Sequence, residues 1–464
     1  MCGIAAVTGI PEAAKLAFLA LYSLQHRGQE AAGIVAIDTA GDGRTSIHKG
    51  TGLVSDAFNE QSLSRLHGHT ALGHIRYSTA GGAGLVNAQP LLVKYAQGDL
   101  ALAHNGNLTN AQELRDRLVE EGALFQTTID SEVVVHLIAR SRRQGVDAQI
   151  EDALSQLEGA FSLLITVNDV LYAARDRHGF RPLILGHKEG AYVIASESCA
   201  LDIVGAQYIR DLEPGEVLRV QGGELTPLPS LGSYSAPAPC VFELVYFARP
   251  DSRLWTYSVD RSRRKFGRQL AIEQPADADC VISVPDSANS AALGFAEQSG
   301  LPFELGLIRN HYVGRTFIEP SQAGRDFKVR LKYSPVRELL DGKRVVVVDD
   351  SLVRGTTSQG LVNLLREAGA TEVHFRLASP PVRHPCYYGI DMPTREELIA
   401  SERSPDQIRE KLGVDSLGYL SLEGMLACVD QKGTFCSACF SGNYPAPLVD
   451  LERGYAIASC GSAV

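Results

Sequence analysis

"RVVVVDDSLVRGTTS" (residues 344–358) decides the fold of the second half of this chain. Four consecutive valines have the pattern of a strand that is buried on both faces, and two carboxylates, Asp349 and Asp350, follow it. A short loop then leads through Gly355 into "SQGLVNLLREAGA", which has helical spacing. The same strand–loop–helix alternation recurs in "DCVISVP", "SANSAALGFAEQSG" and "EVHFRLASP". The sequence therefore predicts a parallel α/β sheet with helices on both faces.

The loop after the valine strand has the residues of a phosphate site. Ligands of open α/β sheets bind at the carboxyl ends of strands, and the start of a helix offers N–H groups to a phosphate. Gly355 allows close approach of the backbone, and the two carboxylates suit ribose hydroxyls and Mg²⁺. A nucleoside-triphosphate loop is disfavoured because G-x-x-x-x-G-K-[ST] is absent. The alternative is a simple turn in which the carboxylates cap the helix. The hydroxyl residues that would remain unexplained are Thr356, Thr357 and Ser358.

This stretch resembles the phosphoribosyl-pyrophosphate loop of type I phosphoribosyltransferases. The resemblance implies that Asp349 and Asp350 bind substrate and Mg²⁺. It also implies that the segment from Gly355 to Ser358 binds substrate. In "VISVPDSANSAA" (281–292) it implies that Ser287 is a further Mg²⁺ ligand, with Asp286 as its neighbour.

The segment 309–337 is basic within an acidic chain. Its turn-rich sequence predicts a mobile lid over a pyrophosphate leaving group, with Arg315 among the substrate-binding residues. A solvated basic surface is the alternative.

Length and composition limit the classes of protein to which the chain can belong. With 464 residues it needs two or three domains, and a net charge of −10 argues against a general nucleic-acid binder. We find no signal peptide and no stretch long enough to span a membrane, so we expect a cytoplasmic protein. "LGSYSAPAPC" predicts a linker at 231–239 between domains at 1–230 and 240–464.

The first half begins with "MCGI" and is rich in strand patterns. We predict strands in segments such as "GIAAV", "FSLLITV" and "AYVIAS", and helices in "NAQELRDRLVEEG" and "DSEVVVHLIARSRRQG". Removal of Met1 would leave Cys2 with a free α-amine, whose ordinary pKa of about 7.7–8.0 suits a base for its own thiol. Taken alone, Cys2 could equally be a small residue in an N-terminal strand.

Four further stretches favour a catalytic role for Cys2. They are "LYSLQHRGQEAAGI" (21–34), "GHIRYSTAGG" (73–82), "AHNGNL" (103–108) and "TIDSEV" (128–133). With "MCGI" they resemble the glutaminase domain of amidotransferases that have an N-terminal nucleophile. The resemblance implies an αββα sandwich in which Cys2 attacks the glutamine amide and Asn105 and Gly106 stabilise the oxyanion. It assigns Arg76 to the α-carboxylate and Asp130 to the α-ammonium of glutamine. It leaves structural roles for His26, His74 and His104. Each motif alone also has a purely structural explanation, such as a turn, an ion pair or a helix cap.

Together with "CVFELVYFARPDS" (240–252), both halves resemble the glutamine phosphoribosylpyrophosphate amidotransferase family. The resemblance implies that glutamine and phosphoribosyl pyrophosphate yield 5-phosphoribosylamine, with ammonia passed internally. It further implies inhibition by purine nucleotides (AMP, GMP, ADP and GDP), and a homotetramer more often than a dimer. It implies no nucleic-acid or membrane partner. Two alternatives stay open: an amidotransferase with another sugar-phosphate acceptor, and a catalytically idle sensor of phosphoribosyl pyrophosphate.

Nine cysteines in a reducing compartment are unlikely to form a disulfide framework. "TFCSACF" (434–440) contains a C-x-x-C pair, Cys436 and Cys439, and Cys240 and Cys386 stand apart in the sequence. Four thiolates suit zinc or an iron–sulfur cluster, and spacing alone favours zinc. The resemblance to one branch of the family implies a structural [4Fe–4S] cluster instead. The other cysteines fit buried apolar positions: Cys199, Cys280, Cys428 and Cys460.

Overall fold

The protein is described by a computed structural model over residues 1–38, 44–77, 82, 84–232, 237–311, 329–392, 394–429 and 435–455. Its first half is built on antiparallel strands. In chain order they are β1 (Gly3–Thr8), β2 (Ala31–Ile37), β3 (Thr45–Thr51), β4 (Thr70–Arg76), β5 (Leu91–Tyr95), β6 (Gly98–Leu108), β7 (Gly159–Val167), β8 (Val170–Arg175), β9 (Ile184–Lys188), β10 (Ala191–Ala195), β11 (Gln207–Asp211), β12 (Val217–Gln221) and β13 (Glu224–Pro227).

These strands form two sheets that face each other. The seven-stranded sheet has the order β11-β9-β10-β1-β4-β2-β3, and the six-stranded sheet has the order β13-β12-β8-β7-β6-β5. Alternate side chains of each sheet meet in a shared apolar core, where Ile4 and Leu72 from one sheet join Leu164 and Leu171 from the other. This arrangement brings β1, which follows Cys2, close to β6, which carries Asn105.

Helices cover both outer faces of this pair of sheets. They are α1 (Ala13–Ser23), α2 (Val54–Ala57), α3 (Glu60–Leu63), α4 (Ala111–Glu120), α5 (Glu132–Arg140), α6 (Val146–Ser155) and α7 (Cys199–Val204). Helices α1 and α7 pack on the seven-stranded sheet, and α4, α5 and α6 pack on the six-stranded sheet. The αββα prediction is therefore confirmed.

The two helices predicted in the first half are present, and the structure adds others that the sequence analysis did not name. Helices α4 and α5 lie where their spacing predicted them, but α1 was missed. Its sequence, AAKLAFLALYS, is apolar around most of its circumference and buries six residues. It therefore lacks the polar face that makes helical periodicity visible in a sequence.

The second half contains the remaining described elements. Its strands are β14 (Arg253–Leu254), β15 (Tyr257–Ser258), β16 (Cys280–Ser283), β17 (Leu307–Arg309), β18 (Tyr333–Pro335), β19 (Arg344–Asp349), β20 (Glu372–Leu377) and β21 (Ser416–Tyr419). Its helices are α8 (Val259–Glu273), α9 (Asn289–Ser299), α10 (Arg337–Leu340), α11 (Thr356–Glu367), α12 (Pro405–Leu412), α13 (Leu422–Val429), α14 (Ala438–Ser441) and α15 (Val449–Glu452).

A parallel sheet of order β16-β19-β20-β21 organises this half. The valine strand β19 is central, with Val345 and Val347 in the core beneath α11 and Val346 and Val348 in the core that contains α8 and α9. Both faces are thus covered, as the continuous valine run predicted. The ends of β16 and β19 place their loops at the same edge of the sheet.

The two halves share an apolar core, because the core beneath α1 continues into the residues packed around α8. The proposed domain limits stay a prediction, and linker residues 233–236 lie outside the described part of the chain. Over the described residues, we find no helix with the length and apolar character needed to cross a membrane.

Candidate active site

Cys2 lies just before β1 and is almost completely buried. Its side chain is 7% exposed, its backbone N–H donates to Asn105 Oδ1 (3.2 Å), and its thiol lies 3.6 Å from the Tyr77 carbonyl oxygen. Burial raises the pKa of the Cys2 thiol, and the positive charges of the amino terminus and Arg76 oppose this only in part. A thiol in this position needs a base before it can act as a nucleophile.

Met1 fills a fully buried position beside the nucleophile. Its side chain is 0% exposed, and Arg181 Nη1 donates to its sulfur at 2.7 Å. While Met1 is present, the nitrogen of Cys2 belongs to a peptide bond and is not basic. Removal of Met1 would convert that nitrogen into an amine on the same residue as the thiol.

The Asn105 side chain offers a donor next to this thiol. Its oxygen accepts the Cys2 N–H, while its Nδ2 is buried and has no hydrogen-bond partner among the described residues. The next residue, Gly106, has φ of +152°, and a Cβ there would lie 2.0 Å from the Ala160 carbonyl oxygen. Strand β6 therefore holds an unsatisfied amide N–H beside Cys2, as an oxyanion site requires.

Arg76 and Asp130 bring opposite charges to the same thiol, since Arg76 lowers the pKa of Cys2 and Asp130 raises it. Arg76 ends β4, is 4% exposed, and donates to the carbonyl oxygens of Gly82 (3.0 Å) and Gly84 (3.3 Å). The structure thus gathers the predicted nucleophile, oxyanion donor and two substrate-binding charges in one place.

The Asp130 carboxylate is held in its charged form. Burial alone would raise its pKa, but His104 and the N–H groups of Leu108 (3.0 Å) and Ser131 (2.8 Å) outweigh this and lower it. A charged carboxylate at this position suits a ligand ammonium group.

The three histidines in these motifs contact groups other than the thiol. His26 Nε2 lies 2.6 Å from Glu197, and His104 Nδ1 lies 3.6 Å from Asp130. His74 is fully buried, and burial, with the charge of Arg76, lowers its pKa to about 3. The sequence-based prediction that they have structural roles agrees with these positions.

A cavity of about 410 Å³ lies at the carboxyl end of the parallel sheet. Most of its lining comes from the second half, including Ser287, Lys332, Asp349, Asp350, Gly355, Thr356, Thr357 and Ser358. Tyr77 from the first half and Asp391 also line it. Because the Tyr77 carbonyl contacts the Cys2 thiol, one residue separates the nucleophile from this cavity.

Gly355 begins the helix that closes the cavity. Its φ of +79° is favoured by glycine, and a Cβ there would lie 2.5 Å from Ile399 Cδ1. The three hydroxyl residues that follow it open α11 and line the cavity, as the sequence predicted.

The two carboxylates at the end of β19 are buried together. Burial raises the pKa of both, and the charge of Asp350 raises that of Asp349 further. The hydroxyls of Ser351 (2.7 Å) and Ser287 hydrogen-bond to Asp350. Two crowded carboxylates with a neighbouring hydroxyl are hard oxygen donors with excess negative charge, so this set fits Mg²⁺.

The predicted lid falls largely outside the described residues, because 312–328, which include Arg315, are not described. At its described edges, Arg309 pairs with Asp286 at 2.9 Å, and burial lowers the pKa of Lys332. Lys332 therefore supplies a cation to the cavity that the sequence analysis counted only as part of a basic run.

Four cysteines from three separate segments lie close together, and three of them lie near Arg181. Cys240 and Cys436 pair through their backbones, and the thiols of Cys240, Cys386 and Cys436 all raise the pKa of Arg181. Burial raises the pKa of Cys240 to about 11 and raises those of Cys436 and Cys439, and the neighbouring thiols add to each shift. Among the described residues, no three histidine, cysteine or carboxylate side chains already stand in a metal-binding arrangement. In chemistry, three buried thiols and one half-buried thiol beside a guanidinium fit a cluster of net negative charge.

The other cysteines lie elsewhere. Cys199 and Cys280 are 3% and 4% exposed in apolar cores, Cys428 is half-buried, and Cys460 lies outside the described residues. All eight described cysteines are free thiols.

Sequence reasoning missed several residues that frame the nucleophile. They are Arg181, Glu197, Glu243, Tyr388 and Gly389. Nothing local in the sequence marks them, because each acts through a partner far along the chain.

The fold and the paired sites define a glutamine amidotransferase joined to a phosphoribosyltransferase. The family model described as a glutamine amidotransferase domain matches residues 78–202. The chain is 52% identical to the chloroplastic amidophosphoribosyltransferase of Vigna aconitifolia, over 97% of this chain and 92% of that one. It is 49% identical to the amidophosphoribosyltransferase of Bacillus subtilis, over 96% and 94% of the two chains. The chain belongs to the amidophosphoribosyltransferase family.

Solved structures agree with this assignment. The glutamine phosphoribosylpyrophosphate amidotransferase of Bacillus subtilis, complexed with ADP and GMP, superimposes with a TM-score of 0.91 at 48% identity. The match covers 96% of this chain and 98% of that chain. The same two-domain architecture therefore extends over nearly the whole sequence.

Proposed function

We propose that this chain makes 5-phosphoribosylamine from glutamine, phosphoribosyl pyrophosphate and water, releasing glutamate and pyrophosphate, as the first step of purine biosynthesis. One observation carries the proposal: the cavity bounded by Asp349 and Asp350 is also lined by Tyr77, whose carbonyl contacts the Cys2 thiol. Assays of glutamine hydrolysis with and without phosphoribosyl pyrophosphate test it. Stimulated hydrolysis coupled to phosphoribosylamine supports the enzyme, whereas binding without turnover would indicate an idle sensor.

The glutaminase half of the reaction uses the first domain. The α-amine of Cys2, exposed by loss of Met1, takes the thiol proton, and the sulfur attacks the glutamine amide carbon. The Asn105 Nδ2 group and the Gly106 N–H stabilise the oxyanion, while Arg76 and Asp130 hold the α-carboxylate and α-ammonium of glutamine. Collapse of the tetrahedral intermediate breaks the carbon–nitrogen bond, the leaving nitrogen takes a proton, and a thioester remains for water to hydrolyse. The mass of the amino terminus of the active enzyme tests the loss of Met1.

The transfer half uses the cavity of the second domain. The start of α11 binds the 5-phosphate through its N–H groups and hydroxyls, and the carboxylate pair orients the ribose. Mg²⁺ held by Asp349, Asp350 and Ser287 would neutralise charge on the departing pyrophosphate. Ammonia entering past Tyr77 forms the bond to the anomeric carbon as the pyrophosphate oxygen leaves. A closed passage matters because ammonia released into water is mostly protonated and no longer nucleophilic.

Loss of the oxyanion donor should impair the glutaminase half-reaction and leave the transfer half-reaction intact. We expect Asn105→Ala to lower glutamine-dependent synthesis by about 10²–10³-fold, the usual effect of removing one such donor. Synthesis from added ammonia should stay within about twofold of the wild type, because the transfer cavity is untouched. Steady-state rates with each nitrogen source measure this. Equal losses with both sources would contradict the role of Asn105.

The four converging cysteines are proposed to hold a structural [4Fe–4S] cluster. Iron and acid-labile sulfide in anaerobically purified protein should each reach about four per chain. Cys436→Ser should remove most of both, whereas Cys428→Ser, a half-buried cysteine outside the quartet, should leave them unchanged. Zinc without sulfide would contradict the cluster and favour a zinc site.

The proposal also covers how the enzyme is inhibited, how its subunits assemble and where in the cell it acts. A structural relative is described as complexed with ADP and GMP, and this supports purine nucleotides of the AMP, GMP, ADP and GDP class as feedback inhibitors here. We further propose a cytoplasmic homotetramer.

A further inference from the structure

Four charged side chains form a wholly buried network between the two halves of the molecule. Arg27, Glu197, Arg181 and Glu243 each have 0% side-chain exposure. Arg27 pairs with Glu197 through Nε and with Glu243 through Nη2 (2.7 Å). Arg181 Nη1 donates to the other oxygen of Glu243 at 3.3 Å. Glu243 is therefore the carboxylate that both guanidinium groups share, while Glu197 also contacts His26 at 2.6 Å.

One end of this network supports the glutamine-binding strand. Arg27 ends the short turn Gln25–Arg27, and Gly28 follows it directly. A Cβ at Gly28 would lie 2.6 Å from the backbone carbonyl carbon of Arg76, so the two backbones are in close contact. The position of Arg27 therefore affects the position of Arg76, the residue assigned to the glutamine α-carboxylate.

The other end supports the oxyanion strand. Arg181 Nε donates to the Tyr388 carbonyl oxygen at 2.9 Å, and Nη2 donates to the same oxygen. The next residue, Gly389, lies so close to β6 that a Cβ there would be 2.7 Å from the carbonyl carbon of Gly106. This contact presses a loop of the second half against the backbone that flanks Asn105.

Glu243 itself belongs to the second half. It begins the helical turn Glu243–Phe247, and Tyr246 and Phe247 from that turn line the phosphoribosyl cavity. The shared carboxylate is therefore part of the same short segment as the cavity wall.

We propose that Glu243 is a positioning residue for the glutaminase reaction, an inference that rests on the proposed function. Its carboxylate aligns Arg27 and Arg181 together, and through them it sets the spacing between the Arg76 and Gly106 backbones around Cys2. A neutral side chain of the same shape cannot do this, because it removes the carboxylate charge that both buried guanidinium groups face. The reaction at the anomeric carbon is assigned to Asp349, Asp350 and the start of α11, and the ion pairs of the network do not include these residues.

Glu243→Gln tests the proposal. We expect the kcat for glutamine-dependent synthesis to fall about 100-fold, a size typical of a misplacement near 1 Å in an active site. The KM for glutamine should change less than kcat, because the side chains assigned to bind glutamine, Arg76 and Asp130, are both retained. Synthesis from added ammonia should stay within about twofold of the wild type. Glu243→Asp, which keeps the charge, should recover part of the lost rate.

A matched control is Glu273→Gln, which removes a carboxylate that binds the Ser421 N–H (2.7 Å) within the second half. It should leave the ratio of the two activities unchanged. A Glu243→Gln variant with equal losses from both nitrogen sources, or with no loss, would overturn the proposal.

If Glu243→Gln fails to fold, Arg181→Lys keeps the charge but gives up the paired bonds to the Tyr388 carbonyl, and it should show the same selective loss. Should Arg181→Lys retain the wild-type ratio, the proposal is again overturned. A wild-type enzyme that makes no phosphoribosylamine from either glutamine or ammonia would instead refute the proposed function.

Discussion

Cys2→Ala is expected to reduce glutamine-dependent phosphoribosylamine synthesis by about 10³-fold or more, as removal of a catalytic nucleophile typically does. The backbone N–H of Cys2 donates to Asn105 Oδ1, and the Nδ2 of the same side chain is buried without a hydrogen-bond partner among the described residues. The variant should retain its fold, because alanine fits the small, buried position before β1. The measurement is the initial rate of phosphoribosylamine formation with saturating glutamine.

Added ammonia provides the control for this variant. Because the transfer cavity does not use the thiol, Cys2→Ala should make phosphoribosylamine from ammonia at nearly the wild-type rate. A variant that still uses glutamine at the normal rate would mean that the nucleophile lies elsewhere. Loss of both activities would mean that the substitution damages the fold.

Replacing both Asp349 and Asp350 by asparagine should instead impair the transfer reaction and spare the hydrolysis of glutamine. We expect synthesis from either nitrogen source to fall about 10³-fold, since the pair holds substrate and Mg²⁺ and a loss of ~4 kcal/mol corresponds to that factor. Hydrolysis of glutamine without phosphoribosyl pyrophosphate should continue at its basal rate. Retention of ammonia-dependent synthesis would contradict the assigned site.

The same double variant should be more stable than the wild type when no ligand is bound. Burial and mutual repulsion raise the pKa of the carboxyls, so the folded state holds a proton more tightly than the unfolded chain. Their contribution to stability is therefore fully present below about pH 4 and is lost as the pH rises through the folded pKa. At pH 7.5 the melting temperature should rise by about 1 °C per kcal/mol recovered in a chain of this length, and near pH 4 the difference should shrink. Equal melting temperatures at pH 7.5 would contradict the crowding of these charges.

Local patterns in the sequence were enough to predict the strand and the helix that frame the second candidate site. The valine run before Asp349 and Asp350 predicted a buried parallel strand, because a strand with both faces covered needs apolar residues at every position. Gly355 and the hydroxyls after it predicted the start of a helix, and they open α11. The same local reasoning missed α1, since a helix buried around most of its surface shows no amphipathic period.

By itself, the sequence predicted which chemistry the chain carries: a thiol at position 2 with its motifs, and a strand-end loop of the kind that binds a phosphorylated sugar. Only the tertiary structure decided how the two meet, with Tyr77 placed between the thiol and the cavity. It also paired Arg27 with Glu243 across 216 positions of the chain. The physical reason is that a short motif specifies its own backbone and side-chain chemistry. A buried charge finds its counter-charge only when distant segments fold together and exclude water.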